Sequence, residues 1–192
     1  MPKLIDEGKL FEETVAVFAE HGYQATTTLE IARRAGVSEV TLFRRYGGKA
    51  ALINAALTHA LARTPFAHIT VTDDVAADLV ALVRVYTETT QQYGGAALTV
   101  LTDAPRHPEL RETIDALTPN LFNAAQLIAE HQERGHLARC EPMQMLMTLL
   151  APIMVQGLWS RTGASPLVPY DPEALVNTFL TGHRTRAADS TA

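Results

Sequence analysis

The chain has 192 residues, 47% of them hydrophobic, a net charge of −5 and a single cysteine. That length and apolar content suffice for one large domain or for a small domain plus a medium one. One cysteine excludes an internal disulfide scaffold and fits a reducing, cytoplasmic setting, with Cys140 read as a buried or incidental residue rather than a redox sensor.

Met1-Pro2-Lys3 leads into an acidic amphipathic stretch, not a secretory leader. Leu10, Phe11, Thr14, Val15 and Phe18 recur at helical spacing and predict a first helix that Gly22 ends. Thr27 and Glu30 have capping-box spacing at the start of a second helix, which runs to Ala35. Gly36 supplies a turn, where positive φ costs little. Val37 points inward, and Ser38 is an N-cap for a third helix carrying Arg44, Arg45 and Tyr46. Gly47-Gly48 separates it from a fourth helix at about 49–63, and Pro65 marks its end. Two short helices joined by a Gly-containing turn make a helix-turn-helix at 27–46, in which the second helix enters a major groove and the first braces it.

Beyond Pro65, helices are predicted at about 73–93, 96–104, 108–117, 119–134, 142–162 and 172–187. Thr118-Pro119 and Asp171-Pro172 each place a capping residue before a proline suited to the first helical position, and His107-Pro108 and Glu141-Pro142 do so with poorer caps. Gly94-Gly95, Gly135 and Gly163 sit where helices would stop, and the tail after Arg186 frays. The stretch Met145–Trp159 is apolar nearly all round, but at fifteen residues, interrupted by Pro152 and Gln156, it is short for a membrane span. A helix apolar on every side is buried on every side, one face against its own domain and the other against a partner.

Residues 1–64 carry eight Lys/Arg against seven Asp/Glu, and residues 65–192 carry eight against fourteen. Arg33, Arg34, Arg44, Arg45 and Lys49 fall within 28–49 against only Glu30 and Glu39, so positive charge concentrates where phosphates would be met. Ser38, Glu39, Val40 and Thr41 form the first turn of the reading helix. Thr41 offers a hydroxyl to a base or phosphate, Val40 a methyl to thymine, Glu39 an acceptor to cytosine, and Arg44 a fork for guanine or phosphate. Lys49, near the start of the next helix, suits a phosphate. Leu42 belongs in the core, and Tyr46 packs with its hydroxyl outward. No Cys/His cluster, paired-carboxylate motif, nucleophile elbow or phosphate-binding glycine loop is present, so no enzyme activity, metal or cofactor is expected.

Residues 4–64 resemble the DNA-binding domain of TetR/AcrR-type transcriptional regulators. The resemblance is carried by Phe18-Ala19-Glu20-His21-Gly22-Tyr23, Ala25-Thr26-Thr27, Ile31-Ala32, Ala35-Gly36-Val37-Ser38, Thr41-Leu42-Phe43, Tyr46 and Lys49. Phe43 stands where tyrosine is commonest, Thr28 and Leu29 reverse a usual apolar-polar order, and Gly48 replaces a capping serine. The resemblance implies an all-α chain. A three-helix helix-turn-helix domain would occupy 1–64, and a helical ligand-binding and dimerisation domain 65–192. The DNA-contacting set is then Thr27, Thr28, Ser38, Glu39, Val40, Thr41, Phe43, Arg44, Tyr46 and Lys49.

The reading is a cytoplasmic, bacterial-type homodimeric repressor of double-stranded DNA with an inverted-repeat operator, released by a small apolar ligand and with no membrane partner. The expected ligand wall is Tyr86, Thr90, Tyr93, Leu98, Leu101, Phe122, Ala125, Met143 and Met147. The expected dimer face is Leu150, Met154, Leu158, Trp159, Leu175 and Phe179. A ligand-independent regulator, or a helical carrier or enzyme that has lost DNA binding, is the alternative.

Overall fold

The computed structural model describes residues 6–161 and 168–183. Among them there are α-helices and short 3-10 turns and no β-strand. Helix α1 (Glu7–Ala25) is capped by Asp6, whose carboxylate accepts from Lys9 N at 3.1 Å, and it buries Leu10, Phe11, Thr14, Val15 and Phe18. It does not end at Gly22. That residue takes φ 72° and ψ 175°, the helix kinks, and a last turn reaches Ala25.

Helices α2 (Thr28–Ala35), α3 (Glu39–Tyr46) and α4 (Lys49–Ala62) follow the predicted order. The capping box at α2 is half formed. Thr27 accepts from Glu30 N at 3.2 Å, but Glu30 turns its carboxylate to Arg33 and Arg34 instead of back to Thr27. Guanidinium donors give a carboxylate stronger, charge-assisted bonds than a neutral backbone N–H does.

The Gly94-Gly95 pair does not stop a helix. Helix α5 (Val75–Asp103) runs through it for 29 residues, about 44 Å at 1.5 Å per residue. Neither glycine takes a positive φ. Gly95 lies beneath the Arg161 guanidinium: a Cβ there would stand 2.2 Å from Arg161 Nη1, so the bare α-carbon provides the seat. A 3-10 turn (Pro108–Leu110) and a short α6 (Arg111–Asp115) replace the single helix expected at 108–117. Leu117 stays helical between α6 and α7 (Thr118–Glu133), so Thr118 donates to Asp115 O at 3.1 Å instead of capping. Helices α8 (Pro142–Ser160) and α9 (Pro172–His183) start on side-chain caps. Glu141 accepts from Gln144 N at 2.6 Å and Asp171 from Ala174 N at 3.0 Å, so Glu141 caps better than its residue type suggests. The predicted helix ends at 162 and 187, the Gly163 stop and the tail after Arg186 lie outside the described residues.

Two hydrophobic clusters form. The first joins Leu10, Phe18, Ile31, Leu42, Leu52 and Leu57 of α1–α4 to Ala96, Val100, Ala104 and Leu110. The second holds Leu79, Leu82, Val83, Ile128, Leu146, Leu149 and Phe179. The chain leaves α4 at Pro65, yet the change from one cluster to the other falls inside α5, between Val83 and Ala96. Below the second cluster, Asp78 ties down the loop before α5. Its carboxylate accepts from Thr72 N at 2.7 Å and Thr72 Oγ1 at 2.8 Å, and faces His131 Nε2 at 2.9 Å. His131 Nδ1 in turn lies 3.1 Å from His136 Nδ1. These bonds satisfy a carboxylate and an imidazole that burial would otherwise penalise.

Helix α8 has 19 residues and is long and apolar enough, by length and composition, to cross a bilayer. It is not buried all round. Met145, Leu146, Leu149, Leu150 and Ile153 pack inward, while Met147, Met154, Val155 and Trp159 are exposed. Cys140, in the turn before α8, is exposed rather than buried.

Candidate nucleic-acid interface

The reading helix is set by local chemistry. Gly36 takes φ 71° and ψ 32° and closes α2 with bonds from its N–H to Ala32 and Arg33 carbonyls. A non-glycine residue there would adopt the disfavoured left-handed region. Buried Ile31, Ala32 and Leu42 lock α2 against α3, as Leu42 was expected to do. Ser38 Oγ accepts from Thr41 N at 3.2 Å and lies 2.6 Å from Thr41 Oγ1, which orients the Thr41 hydroxyl in the first turn. Thr28 Oγ1 donates to Glu39 Oε1 at 2.6 Å, so the two helices of the motif also meet through an exposed polar bond.

The outward face of α3 presents Val40, 77% exposed, and Phe43, 64% exposed, with Thr41 half-buried and Arg44 exposed. Leu29 on α2 is also 64% exposed and was not among the expected contacts. Its signal was visible in the sequence as an apolar residue on the polar side of α2.

Most of the cations in this segment are already paired. Arg33 Nε and Nη2 donate to Glu30 at 2.9 and 2.7 Å. Arg34 reaches Glu30 at 2.8 Å and Glu20 at 2.8 and 3.0 Å. Arg45 pairs with Glu7, and Tyr46 Oη donates to the same carboxylate at 3.4 Å. The bonds from Arg33 and then Arg34 pull the Glu30 carboxyl down to about 2, and the Arg34 bond lowers that of Glu20. Lys49 Nζ donates to Tyr23 O at 2.6 Å and sits 4.1 Å from the Tyr23 ring centroid; burial lowers its pKa. Among the described residues, Lys49 thus has no ion pair, and Arg44 is the cation of this segment with neither an ion pair nor a hydrogen bond.

Tyr23 joins the reading head to the rest of the chain. Its N–H donates to Asp103 Oδ2 at 2.9 Å, and its ring lies 4.7 Å from that of His107. Burial, and then a bond to Glu109, push its phenol up to about 12.

The expected ligand wall is only partly assembled. Tyr86, Thr90, Leu98 and Met143 are half-buried and Ala125 is buried. Tyr86 meets Phe66 edge-on at 5.3 Å, and burial raises its pKa. Tyr93 packs against the first cluster, away from Tyr86. Leu101, Phe122 and Met147 are exposed, because each sits one helical step off the buried stripe of its helix. Of the expected dimer face, Met154 and Trp159 are exposed and Leu158 and Leu175 half-buried. Leu150 and Phe179 lie inside the subunit core and are not available to an outer face. An apolar run carries no mark of which side turns inward. Among the described residues no group of three or more His, Cys, Asp or Glu is placed to hold a metal.

Residues 10–56 match the model for bacterial regulatory proteins of the tetR family, and residues 69–179 match that for the tetracyclin repressor-like C-terminal domain. The HTH-type transcriptional regulator YvkB of Bacillus subtilis is 40% identical over 50 residues, 26% of this chain and 26% of its own length. Two solved structures share the fold along nearly the whole chain. The fatty acid degradation regulator FadR from Bacillus halodurans has a TM-score of 0.70 at 19% identity, covering 94% of this chain and 95% of its own. A TetR family transcription regulator from Marinobacter aquaeolei VT8 has a TM-score of 0.70 at 19% identity, covering 94% and 97%. With both family models matched in order along its length and a helix-turn-helix in the first of them, this chain belongs to the TetR family of bacterial transcriptional regulators.

Proposed function

We propose that the protein is a cytoplasmic homodimeric repressor that reads an inverted-repeat operator with α3 and is released by a small, mainly apolar ligand. The observation that carries the reading is the outward face of α3. There Val40, Thr41 and Phe43 surround Arg44, the one cation of the segment left with neither an ion pair nor a hydrogen bond among the described residues. Two such faces related by a two-fold axis call for half-sites about one helical turn apart. Selection from random double-stranded DNA is expected to yield a palindrome, and recovery of none overturns the reading. If the dimer neutralises roughly six to ten phosphates, log affinity should fall against log salt with a slope of about −5 to −9.

Support for the dimer comes from the exposed side of α8. Met147, Met154, Val155 and Trp159 are exposed on the side of that helix turned away from the core, an apolar surface that favours a covering partner. An obligate interface would bury on the order of 2,000 Å² in total. Sedimentation should show a dimer at micromolar concentration, and Met154→Glu should dissociate it. The ligand is placed near Tyr86, whose hydroxyl has no hydrogen-bond partner among the described residues and faces surroundings that burial has made poorly solvating. The exposure of Leu101, Phe122 and Met147 favours a second reading, a ligand-independent regulator. Mass spectrometry of protein purified from its native host separates the two: a co-purifying small molecule supports release by ligand, and its absence supports the second reading.

A further inference from the structure

Thr28 and Glu39, the first residues of α2 and α3, are bonded to each other across the helix-turn-helix. Thr28 Oγ1 donates to Glu39 Oε1 at 2.6 Å, a length proper to a hydroxyl bonded to a carboxylate. Thr28 is half-buried, and Glu39 is exposed in the same turn of α3 as Val40 and Thr41. Glu7, Glu20 and Glu30 are each matched by an arginine. Glu39 is not: among the described residues it has no ion pair, and its Oε2 has no hydrogen-bond partner.

A carboxylate without a cation, on a face turned to a polyanion, repels phosphates. It favours binding only where it meets an N–H donor, because it can accept and cannot donate. In the major groove, guanine and thymine present acceptors, and cytosine and adenine present an amino group. The N6 amino group of adenine stands beside N7, an acceptor that would face the other carboxylate oxygen. The N4 amino group of cytosine has no such neighbour on its own base. With Oε1 tied to Thr28, Oε2 is the uncommitted oxygen. Fixing the side chain before DNA arrives removes part of the rotamer entropy that binding would otherwise cost.

We infer that Glu39, positioned by Thr28, selects cytosine at one position of each operator half-site by accepting from its N4 amino group. Such selection rests on the function proposed above, in which α3 enters the major groove. Thr28 acts through Glu39 and need not touch DNA.

The test is selection from random double-stranded DNA with the full chain and its Glu39→Ala, Glu39→Gln, Thr28→Val and Thr28→Ser variants, each checked by thermal melting. The unsubstituted protein should return a palindrome with cytosine at one position of each half-site. Glu39→Ala should lose the preference at that position and keep the others. Glu39→Gln should move it towards adenine, because an amide donates and accepts as adenine requires. Thr28→Val, which keeps the shape without the hydroxyl, should relax the same position, and Thr28→Ser should hold it. A second measurement uses only the unsubstituted protein and so stands if a variant fails to fold. Replacing that cytosine by 2-pyrimidinone, which lacks only the 4-amino group, should weaken operator binding about tenfold. The same replacement at any other cytosine should weaken it less. Recovery of no palindrome overturns the proposed function and this selection with it. A palindrome unchanged in Glu39→Ala, full preference kept by Thr28→Val, or an operator indifferent to loss of the 4-amino group each overturns the inference alone and leaves α3 as the reading helix.

Discussion

The Asp103 carboxylate, at the last residue of α5, accepts from the backbone N–H of Tyr23 at 2.9 Å across a sequence separation of 80 residues. The kink at Gly22, whose φ of 72° favours glycine, turns that N–H out of the α1 ladder; a Cβ placed there would meet the carboxylate at an ordinary 3.6 Å. Asp103→Ala leaves the N–H of a buried Tyr23 without its partner and should cost about 1–3 kcal/mol in denaturant unfolding. Asp103→Asn keeps an acceptor and should cost less.

Arg44 and Lys49 should separate in their effects. Arg44→Ala removes an unpaired fork and should weaken operator binding by about 1–3 kcal/mol without changing thermal stability. Lys49→Met removes the bond to the Tyr23 carbonyl and should lower stability by about 1 kcal/mol. Fluorescence anisotropy with operator and scrambled duplexes, read beside thermal melts, checks both. A Lys49→Met protein of unchanged melting temperature would mean that the ammonium is not held at Tyr23.

The Glu30 network carries a pH signature. Its carboxyl lies at about 2 in the folded chain, below the ordinary 4.5, because Arg33 and Arg34 bond to it. A depressed folded pKa gives stability that is present above the ordinary value and is lost as pH falls through the folded one. Glu30 should therefore stay ionised between pH about 4.5 and about 2, where unpaired glutamates protonate. A carboxyl carbon titration by NMR should give a midpoint near the lower figure. The Arg33→Ala/Arg34→Ala variant should move it towards the ordinary value.

The adjacent glycines of α5 should answer differently to alanine. At Gly94 a new Cβ meets only Thr90 Cβ at 3.6 Å, an ordinary contact. Gly94→Ala should therefore raise stability by about 1 kcal/mol through helix propensity. Gly95→Ala should gain less, because the Arg161 guanidinium must leave its seat. Combining Gly95→Ala with Arg161→Ala should restore the full gain. Equal stabilisation by both single alanines would argue against that seat.

The reading head was legible because its determinants are local. Thr27, Gly36 and Ser38 each act within three or four residues, and the apolar spacing in α1 and α4 fixes what faces inward. The state of its charges was not legible. Glu20 meets Arg34 across 14 positions and Glu7 meets Arg45 across 38, so a count along the chain shows a basic segment where the fold leaves Arg44 unpaired among the described residues. The merger of two predicted helices into α5 was hidden for a related reason. Two glycines read as a stop unless something distant occupies the space they leave, and that group is Arg161, 66 residues later. Helix α8 shows the limit of pattern itself: Leu150 and Met154, one turn apart, look alike in sequence, yet the first is buried and the second 43% exposed.

Helix α5 is held near both ends, by Leu79 and Leu82 in the second cluster and by Ala96 and Val100 in the first, and so forms a lever between them. From Leu79 to Asp103, α5 spans about 36 Å, so a tilt of about 5° about the Leu79 end would carry the far end sideways by about 3 Å. That travel is as large as the 2.9 Å bond between Asp103 and Tyr23. Any such tilt would act on the reading head through the first cluster as well as through the Asp103–Tyr23 bond.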